Sequence, residues 1–146
     1  MLPVNTWSCG DYNNNLNGIH VSGNANGILS TDYHTAGDTS LKITMFVLNT
    51  AYYADYESFG DFNELGKTVT FAADVYTNYA CSIRIYTYVG GYTQSIVDIP
   101  SNSSGTYSVS RTIPSDATKI IYRVEPRSYS NSDAFCYTDN WRLTFQ

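Results

Sequence analysis

Between Lys67 and Tyr76 apolar and polar side chains alternate: Val69, Phe71, Ala73 and Val75 fall on one side, Thr68, Thr70, Ala72, Asp74 and Tyr76 on the other. A two-residue period is that of a pleated strand with one face in a core. The same period sets Cys81, Ile83 and Ile85 against Ser82, Arg84, Tyr86 and Tyr88, and Leu41, Ile43, Met45 and Val47 against Lys42 and Thr44. Phe46 and Leu48 interrupt the polar side of the latter run, so that end is expected to be covered. Shorter strands are predicted around residues 19–21, 28–31, 93–99, 106–113 and 119–125, and a last one from Phe135 to Phe145. Asn- and Gly-rich stretches at 13–18 and 23–27, the Val89-Gly90-Gly91-Tyr92 hairpin signal, a polar loop at 100–105 and Pro114 to Thr118 supply the turns. About nine or ten closely spaced strands without helical periodicity predict an all-β, two-sheet antiparallel β-sandwich. Periodicity alone leaves jelly-roll and immunoglobulin-like strand orders open, although the Cys-Trp-Cys spacing of the latter is missing.

Composition sharpens this picture. The chain has 146 residues, enough for one core, and only 14% are Asp, Glu, Lys or Arg, against roughly 25% in an average soluble protein. It is poor in the Leu, Glu and Lys that hold helices and carries 14 Tyr. The formal net charge is −5, and eight Lys and Arg scattered along the chain make no basic face for nucleic acid. No apolar run reaches the length of a membrane-spanning helix. Met1-Leu2-Pro3-Val4 is too short and uncharged for a signal peptide. Residues 1–146 are therefore read as a single domain cut from a longer secreted or cell-surface protein. Cys9, Cys81 and Cys136 lack metal-type spacing; an odd count allows at most one intrachain pair, and the simplest reading is buried small hydrophobes.

Motifs for catalysis are missing too. Neither His20 nor His34 has a motif partner, and there is no nucleophile elbow, phosphate loop or zinc signature. Asp55, Glu57, Asp74, Asp98 and Glu125 form no recognisable acid pair. The expectation is a protein that is not an enzyme. Binding chemistry is better represented. Arg84, Tyr86 and Tyr88 share the outward face of one strand, Tyr92 and Gln94 follow across the next turn, and Asp74 and Tyr76 lie beside them if their strands pair as a hairpin. Flat phenol rings cover the CH faces of sugars, while amides, carboxylates and guanidinium groups meet the hydroxyls. The alternative is that this Tyr row serves cross-strand packing. A second candidate is a loop pole with Tyr33, His34, Tyr52, Tyr53 and Tyr56. Trp7 and Trp141 are expected in the core, Trp141 on one face with Leu143 and Phe145.

Several short segments carry a resemblance. Trp7-Ser8-Cys9-Gly10, Gly37-Asp38-Thr39-Ser40-Leu41-Lys42, Gly66-Lys67-Thr68-Val69-Thr70-Phe71, Gly105-Thr106-Tyr107 and the Asp139 that opens the terminal strand follow in that order. Together they resemble the jelly-roll carbohydrate-binding modules appended to glycoside hydrolases and surface adhesins. The resemblance implies a jelly-roll topology and a non-catalytic glycan-binding module. Such a module targets a larger protein to polysaccharide or cell-surface carbohydrate, outside the cell and without membrane insertion. It also implies one structural calcium ion near Asp38 and Asp139, with Ser40 nearby. Asn5 stands where the family often has an acid, and the plainer reading makes Asp139 a turn residue and Asp38 a loop acid. A structural or adhesion β-sandwich of a surface or virion protein, with no sugar site, is the competing function.

Overall fold

The computed structural model describes residues 20–21, 25–30, 40–45, 54–58, 64–126 and 134–145. Ten strands run through them: β1 (His20–Val21), β2 (Ala25–Ser30), β3 (Ser40–Met45), β4 (Ala54–Ser58), β5 (Thr68–Thr77), β6 (Cys81–Tyr88), β7 (Tyr92–Ile99), β8 (Ser103–Thr112), β9 (Lys119–Pro126) and β10 (Phe135–Phe145). One sheet has the order β1-β4-β9-β6-β7 and the other β2-β3-β10-β5-β8. Their pairings are antiparallel. The chain changes sheet at nearly every connection from β4 onward, which gives the predicted two-sheet jelly roll. No helix occurs among the described residues.

The inward faces follow the period read from the sequence. Val69, Phe71, Ala73 and Val75 of β5 meet Cys81, Ile83 and Ile85 of β6, all fully buried, with Ile43, Tyr122, Val124 and Trp141 in the same cluster. Each large apolar side chain so enclosed contributes about 1.5–3 kcal/mol relative to exposure. Phe71 sits at the centre, edge-to-face with Tyr122 at 5.5 Å and with Trp141 at 5.0 Å between ring centroids. The Trp141 indole N–H, which burial would otherwise strand, donates to Thr138 Oγ1 at 2.6 Å. Trp141 is thus a core residue, as expected; Trp7 lies outside the described residues.

A bulge lets β10 serve this core along its length. The β5–β10 register runs Asp139↔Asp74 and then Arg142↔Ala72, so β10 holds one extra residue there. Asn140 takes φ 50, a conformation Asn tolerates better than most residues. The insertion changes the inward set from Cys136 and Thr138 to Trp141 and Leu143. Strict alternation across the strand would have turned one of these pairs outward.

Two turns differ in kind. Between β6 and β7 the Val89 N–H donates to the Gly91 carbonyl at 3.0 Å and Gly90 adopts φ 65, closing a true hairpin. Between β5 and β6, Asn78-Tyr79-Ala80 instead carries the chain from one sheet to the other. The segment predicted as a loop at 100–105 is also shorter than expected. Asn102 turns at φ 55, and Ser103 and Ser104 already pair with Thr77 and Tyr76.

Candidate functional site

The outward face of the β1-β4-β9-β6-β7 sheet gathers the polar and aromatic residues that the sequence placed on β6. Register sets Arg84 opposite Arg123 of β9 and Ile96 of β7, Tyr86 opposite Ile121 and Gln94, and Tyr88 opposite Lys119 and Tyr92. Two arginines directly across from each other repel. Their carboxylate partners supply the compensation. Arg123 forks onto Asp55 of β4, Nε to Oδ1 at 2.5 Å and Nη2 to Oδ2 at 2.8 Å. Arg84 Nη2 reaches Glu125 Oε2 at 2.8 Å, and Arg123 Nη1 lies 3.6 Å from Glu125 Oε1. Two positive and two negative groups thus form one charge-balanced cluster.

This cluster fixes the rings. Arg84 Nη1 donates to the Tyr86 hydroxyl at 3.0 Å and to Gln94 Oε1 at 3.3 Å, while its Nε donates to Ser82 Oγ at 2.7 Å. The Arg123 guanidinium sits 4.8 Å from the Tyr86 ring centroid. Tyr92 meets Tyr88 edge-to-face at 4.8 Å and Tyr86 at 6.3 Å. Tyr86 and Tyr88 are half-buried and Tyr92 is 53% exposed, so the trio opens to solvent. Burial acts to lower the Arg123 pKa, but hydrogen bonding and charge from Asp55, with Glu125 adding, outweigh it and raise it above the usual arginine value.

Arg84, Tyr86, Tyr88 and Gln94 therefore come together as expected, whereas Asp74 and Tyr76 do not join them. The pairing on which their inclusion depended does not occur: β5 bonds to β10 and β8, and β6 to β9 and β7. A three-residue link is short enough for a hairpin and long enough for a corner, so sequence spacing did not separate the two. On the opposite sheet Asp74 accepts from Thr106 Oγ1 at 2.6 Å and from Arg142 Nη1 at 3.3 Å. Tyr76 stacks on Tyr137 with centroids 5.6 Å apart.

Asp55, Arg123 and Glu125 are the site residues that sequence reasoning missed. The outward phase of β9 was readable, but its place beside β6 was not. Of the second candidate set, Tyr33, His34, Tyr52 and Tyr53 lie outside the described residues. Tyr56 is partly buried against the core, where desolvation and then the charge of Glu64 raise its pKa.

Calcium requires hard oxygen donors. Asp139 is completely buried, as is Ser40, whose Oγ has no hydrogen-bond partner among the described residues. The β3–β10 ladder runs to Leu41↔Thr138, so Ser40 and Asp139 are the next residue along each strand. An orphaned hydroxyl near an enclosed carboxylate fits part of a calcium shell. Asp38 lies outside the described residues, among which no group of three or more His, Cys, Asp or Glu is arranged for a metal.

No family model matches this chain, and no curated protein matches it in sequence. Solved structures do match in fold. The C-terminal family 22 carbohydrate-binding module of Clostridium thermocellum Xyn10B superposes with a TM-score of 0.72 at 17% identity, covering 94% of this chain and 91% of that one. The CBM22-2 xylan-binding domain of Paenibacillus barcinonensis Xyn10C gives 0.72 at 10% identity, covering 97% and 98%. The enzymatically active domain of bacteriophage CBA120 tailspike protein 4 gives 0.75 at 12% identity; 98% of this chain matches 22% of that one. The chain has the β-sandwich fold of carbohydrate-binding modules.

Proposed function

We propose that this chain is a non-catalytic glycan-binding module that carries a larger protein to polysaccharide or cell-surface carbohydrate outside the cell. The observation that carries the reading is the outward β6–β7–β9 face, where Tyr86, Tyr88 and the exposed Tyr92 form an edge-to-face aromatic cluster braced by Arg84 and Arg123. A prearranged cluster costs little ordering on binding, which suits weakly hydrated sugar faces. Gln94 and the cluster of Asp55, Glu125 and the two arginines supply polar groups at its edge. The sandwich shared with xylan-binding modules supports the reading at the level of the scaffold. One bound calcium, held by Asp139, Ser40 and Asp38, belongs to the same proposal and has a structural part.

The test is retention on insoluble polysaccharides, followed by affinity measurement with soluble oligosaccharides. Tyr86→Ala or Tyr88→Ala is expected to weaken binding by roughly 1–3 kcal/mol per ring while the domain stays folded. Salt dependence should be slight, because a neutral glycan releases no counterions. Unchanged retention in folded variants would move the site off this face. The competing reading, a structural or adhesion domain, draws on how fully Arg84 and Arg123 are already engaged. It predicts that the wild-type domain is retained by no glycan.

A further inference from the structure

At the corner where β5 hands the chain to β6, two enclosed thiols converge from different sheets. Cys81 opens β6, Cys136 is the second residue of β10, and neither has any exposed surface. Thr77 borders both. It is the cross-strand partner of Cys136, and its hydroxyl oxygen accepts from Cys81 Sγ at 3.2 Å. The same hydroxyl lies 2.6 Å from the Tyr79 carbonyl and 3.0 Å from that of Phe135, which ties the corner to the start of β10. The Phe135 N–H in turn donates to Asn78 Oδ1 at 2.7 Å. The thiols also feel each other directly. A hydrogen bond from Cys136 lowers the Cys81 pKa against the opposing effect of burial, and the same contact, with burial, raises that of Cys136. Both are free thiols in this structure.

We propose that Cys81 and Cys136 are a built disulfide site that staples the two sheets at this corner when the protein folds in an oxidising environment. The oxidant is a low-molecular-weight disulfide. The Cys81 thiolate attacks one of its sulfurs, forms a mixed disulfide and releases one small thiol. The Cys136 sulfur then attacks Cys81 Sγ, closes the protein bond and releases the second small thiol. Two electrons pass to the oxidant, and the two protons lost by the cysteines end on the released thiols. Reaction occurs while the corner is still open during folding, since burial later shields both sulfurs. The bond restricts the unfolded chain between β6 and β10. The third cysteine, Cys9, takes no part.

The full chain is refolded in a mixture of oxidised and reduced glutathione, denatured without reductant, alkylated and weighed. The expected product carries one alkyl group, and proteolysis yields a peptide joining Cys81 to Cys136. Reduction of the oxidised wild type should lower its melting midpoint by roughly 10 °C. Cys9→Ala should keep the bridge. Cys136→Ala should lose both the bridge and the response to reductant. Three alkylations after oxidative refolding, or a bridge through Cys9, would overturn the assignment. The mass measurement on the wild type decides the matter even if Cys136→Ala does not fold, and it is independent of glycan binding.

Discussion

Tyr122 shows how one polar contact is managed inside the sandwich. Its hydroxyl donates to Glu64 Oε2 at 3.1 Å; Glu64 is 1% exposed, and its other oxygen has no partner among the described residues. Desolvation first, then the charge and hydrogen bond of Glu64, raise the Tyr122 pKa far above its ordinary value. In the unfolded chain a tyrosine ionises near pH 10. Above that pH the unfolded state gives up a proton that the folded state keeps, so stability falls as pH rises. Tyr56 acts in the same sense. Denaturant midpoints measured across the alkaline range should fall beyond about pH 10, and less steeply in Tyr122→Phe. At neutral pH that variant should lose about 1–3 kcal/mol, because Glu64 is left buried without its donor.

Among the strands, β4, β9 and β6 are joined on their outer face by the Asp55–Arg123–Glu125–Arg84 chain of ion pairs as well as by backbone hydrogen bonds. The Asp55 side chain is 5% exposed and that of Arg123 16%, so solvent screens their contact weakly. Asp55→Asn keeps the size and removes the charge, leaving Arg123 facing Arg84 with less compensation. The expected cost is about 2–4 kcal/mol in chemical denaturation. Tyr86 should also lose its fixed ring, so glycan affinity should drop by more than Gln94→Ala costs. Equal stability of Asp55→Asn and wild type would show that the pair merely offsets its own desolvation. The strands themselves were legible in the sequence, because Val69 to Val75 and Cys81 to Ile85 keep an unbroken period. Their neighbours were not: nothing local to Arg84 announces that Arg123 and not Asp74 lies beside it.

For the whole molecule, the jelly-roll order brings Ser40 and Asp139 together from strands far apart in the chain. A cation bound there only in the folded state would stabilise the folded chain by mass action. After chelation, calcium addition should raise the melting temperature of the wild type and leave Asp139→Asn unmoved. No shift in the wild type would remove the ion from the proposal. The fold recurs at 10–17% identity because it asks for a pattern and a set of turns, and many side-chain choices satisfy both.

The sequence by itself determined the class of the fold, the inward residues of β5 and β6, the hairpin at Gly90 and the outward placement of Arg84, Tyr86 and Tyr88. Those follow from the two-residue pleat and from turn chemistry, which act over a few neighbouring positions. Only the tertiary structure decided that Asn78-Tyr79-Ala80 is a corner, that β10 switches phase at Asn140, and that Asp55, Arg123 and Glu125 complete the polar cluster. It also decided that Cys81 meets Cys136. The physical reason is common to all four: strand pairing and sheet stacking are chosen by packing of the whole core, and that choice leaves no local mark on the chain.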